Sequence, residues 1–222
     1  MKVKSTTKLS IFDTFKTREG SLTGEAQRQR AIIRILSSKA NPAERTRTGI
    51  SQKIAKGQGI VWKNIYSGIF RDLDEILLPM EIAEEHGRLP LKRGPKALQE
   101  KGIPFYHLTR KGVLIALSIK EVENKERLLN EFFTEGTKEE KEFERIITSL
   151  SKTSPNFTYS IFQKYVKAFC DDKIKDLLPF DLSKLQSLSD ESLIIQKEIL
   201  HAFLKLSKQD KEEAIRFLDK IT

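Results

Sequence analysis

Between residues 21 and 79 the chain carries three apolar stripes at helical spacing, each closed by a breaker, and this succession constrains the fold more than any other feature. Ile32, Ile33 and Leu36 mark the first, over residues 21–39, with Arg28, Arg30 and Arg34 away from the stripe. Asn41-Pro42 ends it, because the residue before proline is pushed out of the helical region. Ile50 and Ile54, one turn apart, mark a short second helix over residues 48–56, stopped by Gly57-Gln58-Gly59. Ile65, Ile69, Leu73 and Ile76 place one buried stripe on a third helix, residues 61–77, closed by Pro79. Lys63, Asn64, Ser67, Arg71 and Asp74 fall largely outside that stripe.

No long period survives over residues 80–104, where Gly87, Pro90, Gly94, Pro95 and Gly102 alternate with Arg88, Lys92, Arg93, Lys96 and Lys101. Residues 104–108 read as a short aromatic strand, and Thr109 offers an N-cap for a long helix over residues 110–133. That helix carries Ile115, Ile119, Val122, Leu129 and Phe133 on one side, and Gly136 ends it. A domain boundary is expected there. Beyond it, residues 137–140 have capping-box spacing and open the first of several amphipathic helices. The expected architecture is mainly α. Residues 1–20 form a basic arm, residues 21–134 a three-helix unit with a small β-wing, and residues 137–222 a small all-α bundle.

Charge separates the two halves. Residues 1–120 carry a balance of +12 and residues 121–222 a balance of −3, within a total of +9. Between Arg28 and Arg71 ten basic residues are opposed only by Glu44. A polyanion partner for the first half is the expectation. The longest apolar run, residues 113–117, is far short of a membrane span, and no secretory leader precedes the first helix. Cys170 is the single cysteine, which rules out an intrachain disulfide. Gly-rich phosphate loops are absent, and His86, His107 and His201 are scattered. Glu81, Glu85 and His86 alone combine metal-ligand residue types, without a second histidine at helical spacing. No enzymatic role, cofactor or metal is expected.

The order of helix, short helix, turn, amphipathic helix, basic loop, strand and helix resembles the winged helix-turn-helix proteins of bacterial and archaeal transcription regulators. Thr48-Gly49-Ile50-Ser51-Gln52-Lys53-Ile54-Ala55 looks like their second helix. Phe105-Tyr106-His107-Leu108-Thr109-Arg110-Lys111-Gly112 is similar to their Tyr-x-Leu-Thr-x-x-Gly signature, and Arg93-Gly94-Pro95-Lys96 resembles a wing tip. The resemblance covers about residues 21–134. The stretch before the Tyr strand is longer than their usual wing. The resemblance implies that helix 61–77 enters the major groove of duplex DNA while a basic wing meets phosphates.

On that reading the DNA-contacting residues are Arg45, Arg47, Ser51, Gln52, Lys53, Lys63, Asn64, Ser67, Arg71, Lys92, Arg93 and Lys96. Asn64 and Ser67 are base readers, and Lys63 and Arg71 meet phosphates. Equally, Asn64 and Ser67 are ordinary solvent-facing residues, and Trp62 either closes the core or stacks on the nucleic acid. A regulator or chromatin-associated factor, cytoplasmic and nucleoid-associated, is the leading expectation. A winged-helix interaction module and an RNA- or ribosome-binding factor are the alternatives. Val122, Leu128, Leu129, Phe132 and Phe133 need a partner, which makes a homodimer through residues 110–133, the C-terminal helices, or both the expected assembly.

Overall fold

The computed structural model describes residues 8–18, 20–91, 94–188 and 191–221. The chain divides into two compact units, the first ending at Asp181 and the second beginning at Leu182. The described residues are mainly helical, with one two-stranded antiparallel sheet.

In the first unit α1 (Gly24–Ser37) starts where the Thr23 hydroxyl accepts the Ala26 N–H. It buries Ile32, Ile33, Ile35 and Leu36. A 3-10 turn (Pro42–Arg45) closed by an Asn41/Glu44 capping box leads into α2 (Arg47–Gln58), which is capped by Thr46 and buries Ile50, Ile54 and Ala55. Gly49 lets this turn ride on α2, because a Cβ there would lie 2.1 Å from the Ala43 carbonyl oxygen. Gly59, in the left-handed conformation, ends α2. After a four-residue turn α3 (Lys63–Arg71) begins and runs on as a π-helical segment (Asp72–Leu77). Two strands follow, β1 (Ala83–Leu89) and β2 (Ile103–Leu108), with a short helix α4 (Lys96–Lys101) in their connection. Glu84 pairs with His107 and Glu85 with Tyr106, and a bulge at His86 resets the register so that Gly87 pairs with Phe105.

The remaining elements of this unit are α5 (Arg110–Leu117), α6 (Lys125–Thr134), α7 (Lys138–Thr153) and α8 (Pro155–Cys170). Three expectations are corrected here. The long helix over residues 110–133 is two helices. The chain leaves α5 at Ser118, and Asn124 takes a left-handed conformation before α6 starts. Asn tolerates that conformation better than most residues, and apolar periodicity does not register it. The boundary at residue 136 falls inside the first unit, because α7 packs on α6 and α8 packs on α5. Residues 137–222 are therefore not one bundle. The segment before α1 is not a free arm from residue 8 onward. Leu9 and Ile11 are buried, and the Ser10 N–H bonds to Gln29 Oε1 at 2.9 Å. Residues 1–7 lie outside the described residues.

Leu128, Leu129, Phe132 and Phe133 are all buried inside this unit, with Phe132 meeting Phe180 edge-on at 6.2 Å. Their partner is the chain itself, so the expected dimer surface on residues 110–133 is already covered. One carboxylate holds this junction. Glu140, buried on α7, accepts the N–H groups of Thr137 at 2.6 Å and Phe180 at 2.7 Å, and pairs with Arg110 of α5 at 2.5 Å. Burial alone would raise its pKa. The two backbone donors and Arg110 outweigh burial and hold it below the usual carboxylate range.

Removing Glu140 leaves the partly buried Arg110 guanidinium without its carboxylate and two N–H groups without an acceptor, so Glu140→Ala should cost about 3–5 kcal/mol in urea unfolding. A lowered folded pKa also gives a sign. The stabilisation is complete above the ordinary value of 4.5 and is lost as pH falls below it. A variant within 1 kcal/mol of wild type, or one with the same acid-unfolding curve, would contradict this role.

Candidate nucleic-acid interface

The base of the hairpin explains the Tyr-x-Leu-Thr-x-x-Gly pattern residue by residue. Tyr106 and Leu108 are buried on the side of β2 that faces the core. The Thr109 hydroxyl donates to the Glu81 carbonyl at 2.6 Å and accepts the Gly112 N–H at 3.1 Å. Gly112 lies so close to β1 that a Cβ would come within 2.0 Å of the Ile82 carbonyl oxygen. The strand-to-helix corner thus needs a cap at Thr109 and no side chain at Gly112.

A second device sets α3 against this hairpin. Arg47, the first residue of α2, forks onto Asp74, with Nε–Oδ2 at 3.0 Å and Nη2–Oδ1 at 2.5 Å. Its guanidinium lies 5.2 Å from the ring centroid of Phe70 and 5.2 Å from that of Tyr106. Burial pushes the Tyr106 phenol up to about 12, Asp74 and Glu85 adding to the effect and Arg47 opposing it. Two residues earlier, buried Asp72 accepts Arg28 of α1 at 2.8 Å. Burial outweighs that partner and leaves the Asp72 pKa raised.

These contacts redistribute the expected DNA-contacting residues. Ser51 is buried and donates to the Arg47 carbonyl at 2.8 Å, so it is core. Arg47 is held by Asp74 and the two rings, so its charge is spent inside the fold. Arg45 is half-buried and donates to the Ser38 carbonyl at the end of α1. Lys53 pairs with Glu44 at 3.3 Å, and Arg71 lies 3.7 Å from Glu25. Lys92 and Arg93 lie outside the described residues. What remains exposed is Gln52 on α2, Lys63, Asn64 and Ser67 on α3, and Lys96 on α4. Arg71 joins them with its side chain half exposed. Trp62 is half-buried and meets Tyr66 edge-on at 5.7 Å, at the start of α3.

The run of ten cations is therefore less available than its sequence suggests. Arg28, Arg30, Arg47, Lys53 and Arg71 each face a carboxylate. Arg34, Lys39, Lys56 and Lys63 are exposed, and among the described residues no carboxylate pairs with them. α3 and the turn before it also hold apolar surface that charge counting missed. Ile60, Val61 and Phe70 are 43%, 60% and 45% exposed. On the hairpin, Arg88 forks onto Glu85 and donates to the Lys101 carbonyl, leaving Lys96 and Lys101 exposed toward the α4 end. Glu81 and Glu85 share no helix face, since Glu81 sits in a left-handed turn and Glu85 in β1. Among the described residues no three His, Cys, Asp or Glu side chains converge on a metal-sized space. None of their helices is long and apolar enough to cross a membrane.

Comparison with protein-family models, with curated proteins and with solved structures returned no match.

Arg47 gives a direct test of this division between structural and free cations. Arg47→Ala should destabilise the chain by about 2 kcal/mol, a fall of roughly 4–8 °C in Tm, because Asp74 loses its fork. Arg47→Lys should recover less than half of that, since an ammonium cannot make the bidentate contact. An unchanged Tm in both variants would return Arg47 to the free surface cations.

Proposed function

We propose that the first unit is a winged helix-turn-helix that binds duplex DNA through the outer face of α3 and the α4 end of the hairpin. The observation that carries the reading is the two-sidedness of α3. Its inner stripe, Ile69 with Leu73 and Leu77 beyond it, is buried against α1 and α2. Its outer face presents Lys63, Asn64 and Ser67, none of them paired to a carboxylate among the described residues. A helix presented this way after a tight turn has the shape that fits a major groove, and Asn offers the donor and acceptor that adenine requires. Lys63, Lys96 and Lys101 supply charge for phosphates, and Arg71, half exposed, joins them by exchanging its 3.7 Å contact with Glu25 for a phosphate.

The reduced set of free cations sets the expected salt response. Four or five phosphate contacts give a slope of log K against log salt of about −4. Lys63→Ala should weaken binding to every duplex by a similar factor, whereas Asn64→Ala should cost about 1–3 kcal/mol on a selected site and much less elsewhere. A slope near zero would remove duplex binding from this face. Tighter binding to RNA in direct competition would move the reading to an RNA partner.

A second reading rests on Ile60, Val61 and Phe70. Three exposed apolar side chains beside α3 suit a protein partner better than a phosphate backbone. Val61→Ala separates the two, since it removes apolar surface without adding charge beside Lys63: duplex affinity should stay within a few-fold if Asn64 reads the groove, whereas no measurable affinity for any duplex in wild type or variant would leave the protein reading.

A further inference from the structure

The second unit holds α9 (Leu182–Ser187), α10 (Glu191–Lys205) and α11 (Lys208–Ile221). No residue of α10 is buried. Yet its sequence is among the most apolar in the chain. At about 100° per residue, Leu193, Ile195, Ile199, Leu200, Ala202, Phe203 and Leu204 sweep an apolar arc of about 200°. Gln196 alone interrupts that arc. Opposite it, Lys197, Glu198, His201 and Lys205 form a polar strip, with Ile194 among them. On α11 the corresponding arc, through Ala214, Ile215 and Phe217, is narrower and faces a strongly charged side.

No residue of α10 is buried, so α11 leaves that arc uncovered. The exposures agree. Ile199, Leu200, Leu204, Ile215 and Phe217 are between 47% and 68% exposed. Together these five present on the order of 500 Å² of accessible surface, and Ile195, Leu206 and Leu218 bring it toward the ~800 Å² that each partner gives to a standard specific interface.

We propose that this helical pair is a self-association surface, and that its occupant is the same pair from a second copy of the chain. Charge favours a copy of itself over a polyanion. Residues 182–222 hold seven Lys and Arg and seven Asp and Glu, a net charge of zero. That gives no attraction for a polyanion and no repulsion between copies. Of the surfaces expected for a dimer it keeps only the C-terminal helices, on α10 and α11, since residues 110–133 are covered inside the first unit. The proposal stands independently of DNA binding.

The test is the mass of the full chain by light scattering, without nucleic acid. At about 50 μM the wild type should have twice the 25.5 kDa of one chain. Leu200→Lys with Leu204→Lys on α10, and separately Phe217→Lys on α11, should return it to one chain with helical content unchanged. Glu198→Lys, on the polar strip, should stay dimeric, which separates lost apolar contact from added charge. A monomeric wild type overturns the proposal, as does a dimer that survives both sets of apolar variants. If those variants lose helical content, hydrogen exchange of the wild type decides. Protection of residues 191–221 should rise with protein concentration. Protection that does not change would mean the surface is covered within one chain or not at all, and the proposal fails.

Discussion

The bidentate contact between Arg47 and Asp74 is the interaction on which the geometry of the first unit depends. It joins the first residue of α2 to the segment that follows α3, and the rings of Phe70 and Tyr106 flank it. Three elements of different sequence origin thus share one guanidinium. Ion pairs in partly buried settings add little net stability, because desolvation offsets attraction, but breaking one is costly. The pair therefore acts chiefly to specify geometry: α3 must stand where Asp74 reaches Arg47. The π-helical segment serves the same end. It places Asp72 on Arg28 and Asp74 on Arg47, so successive carboxylates reach α1 and α2.

From this follows which side of α3 is free. Its inner stripe is committed to packing and its acidic C-terminal extension to ion pairs, leaving the first two turns as the uncommitted surface. The hairpin is set by a different device, the Thr109 cap and the Gly112 approach, which anchor it to the turn before β1. A rigid base beneath an exposed connection is the arrangement expected of a binding loop on a scaffold.

Much of this was legible in the sequence, and the exceptions have physical reasons. The three helices before residue 79, the aromatic strand and the Thr109 cap follow from periodicity and capping chemistry. β1 escaped notice because Glu84, Glu85 and His86 face solvent and a bulge interrupts its alternation. The long helix over residues 110–133 was over-extended because an apolar stripe continues on either side of Asn124, while a single left-handed residue redirects the chain. The boundary was misplaced because Phe180 returns to Phe132 of α6 and α8 packs on α5, pairings that no local pattern records. The candidate interface suffered from the same non-locality. Arg30 meets Glu121 and Arg28 meets Asp72 across long separations, so a local count of cations overstated the free charge. Ser51 was misassigned because a hydroxyl that satisfies a helix carbonyl can be fully buried.

The outer face of α3, with the hairpin's α4 end, is the surface we propose for duplex DNA. Mapping amide chemical shifts of the isotopically labelled chain during titration with a duplex tests it most directly. The account predicts that the largest changes fall at residues 61–71 and 94–102, weaken as salt is raised, and leave residues 138–170 and 191–221 nearly unmoved. Changes centred on residues 138–170 or 191–221, or none at a duplex concentration well above that of the protein, would contradict it.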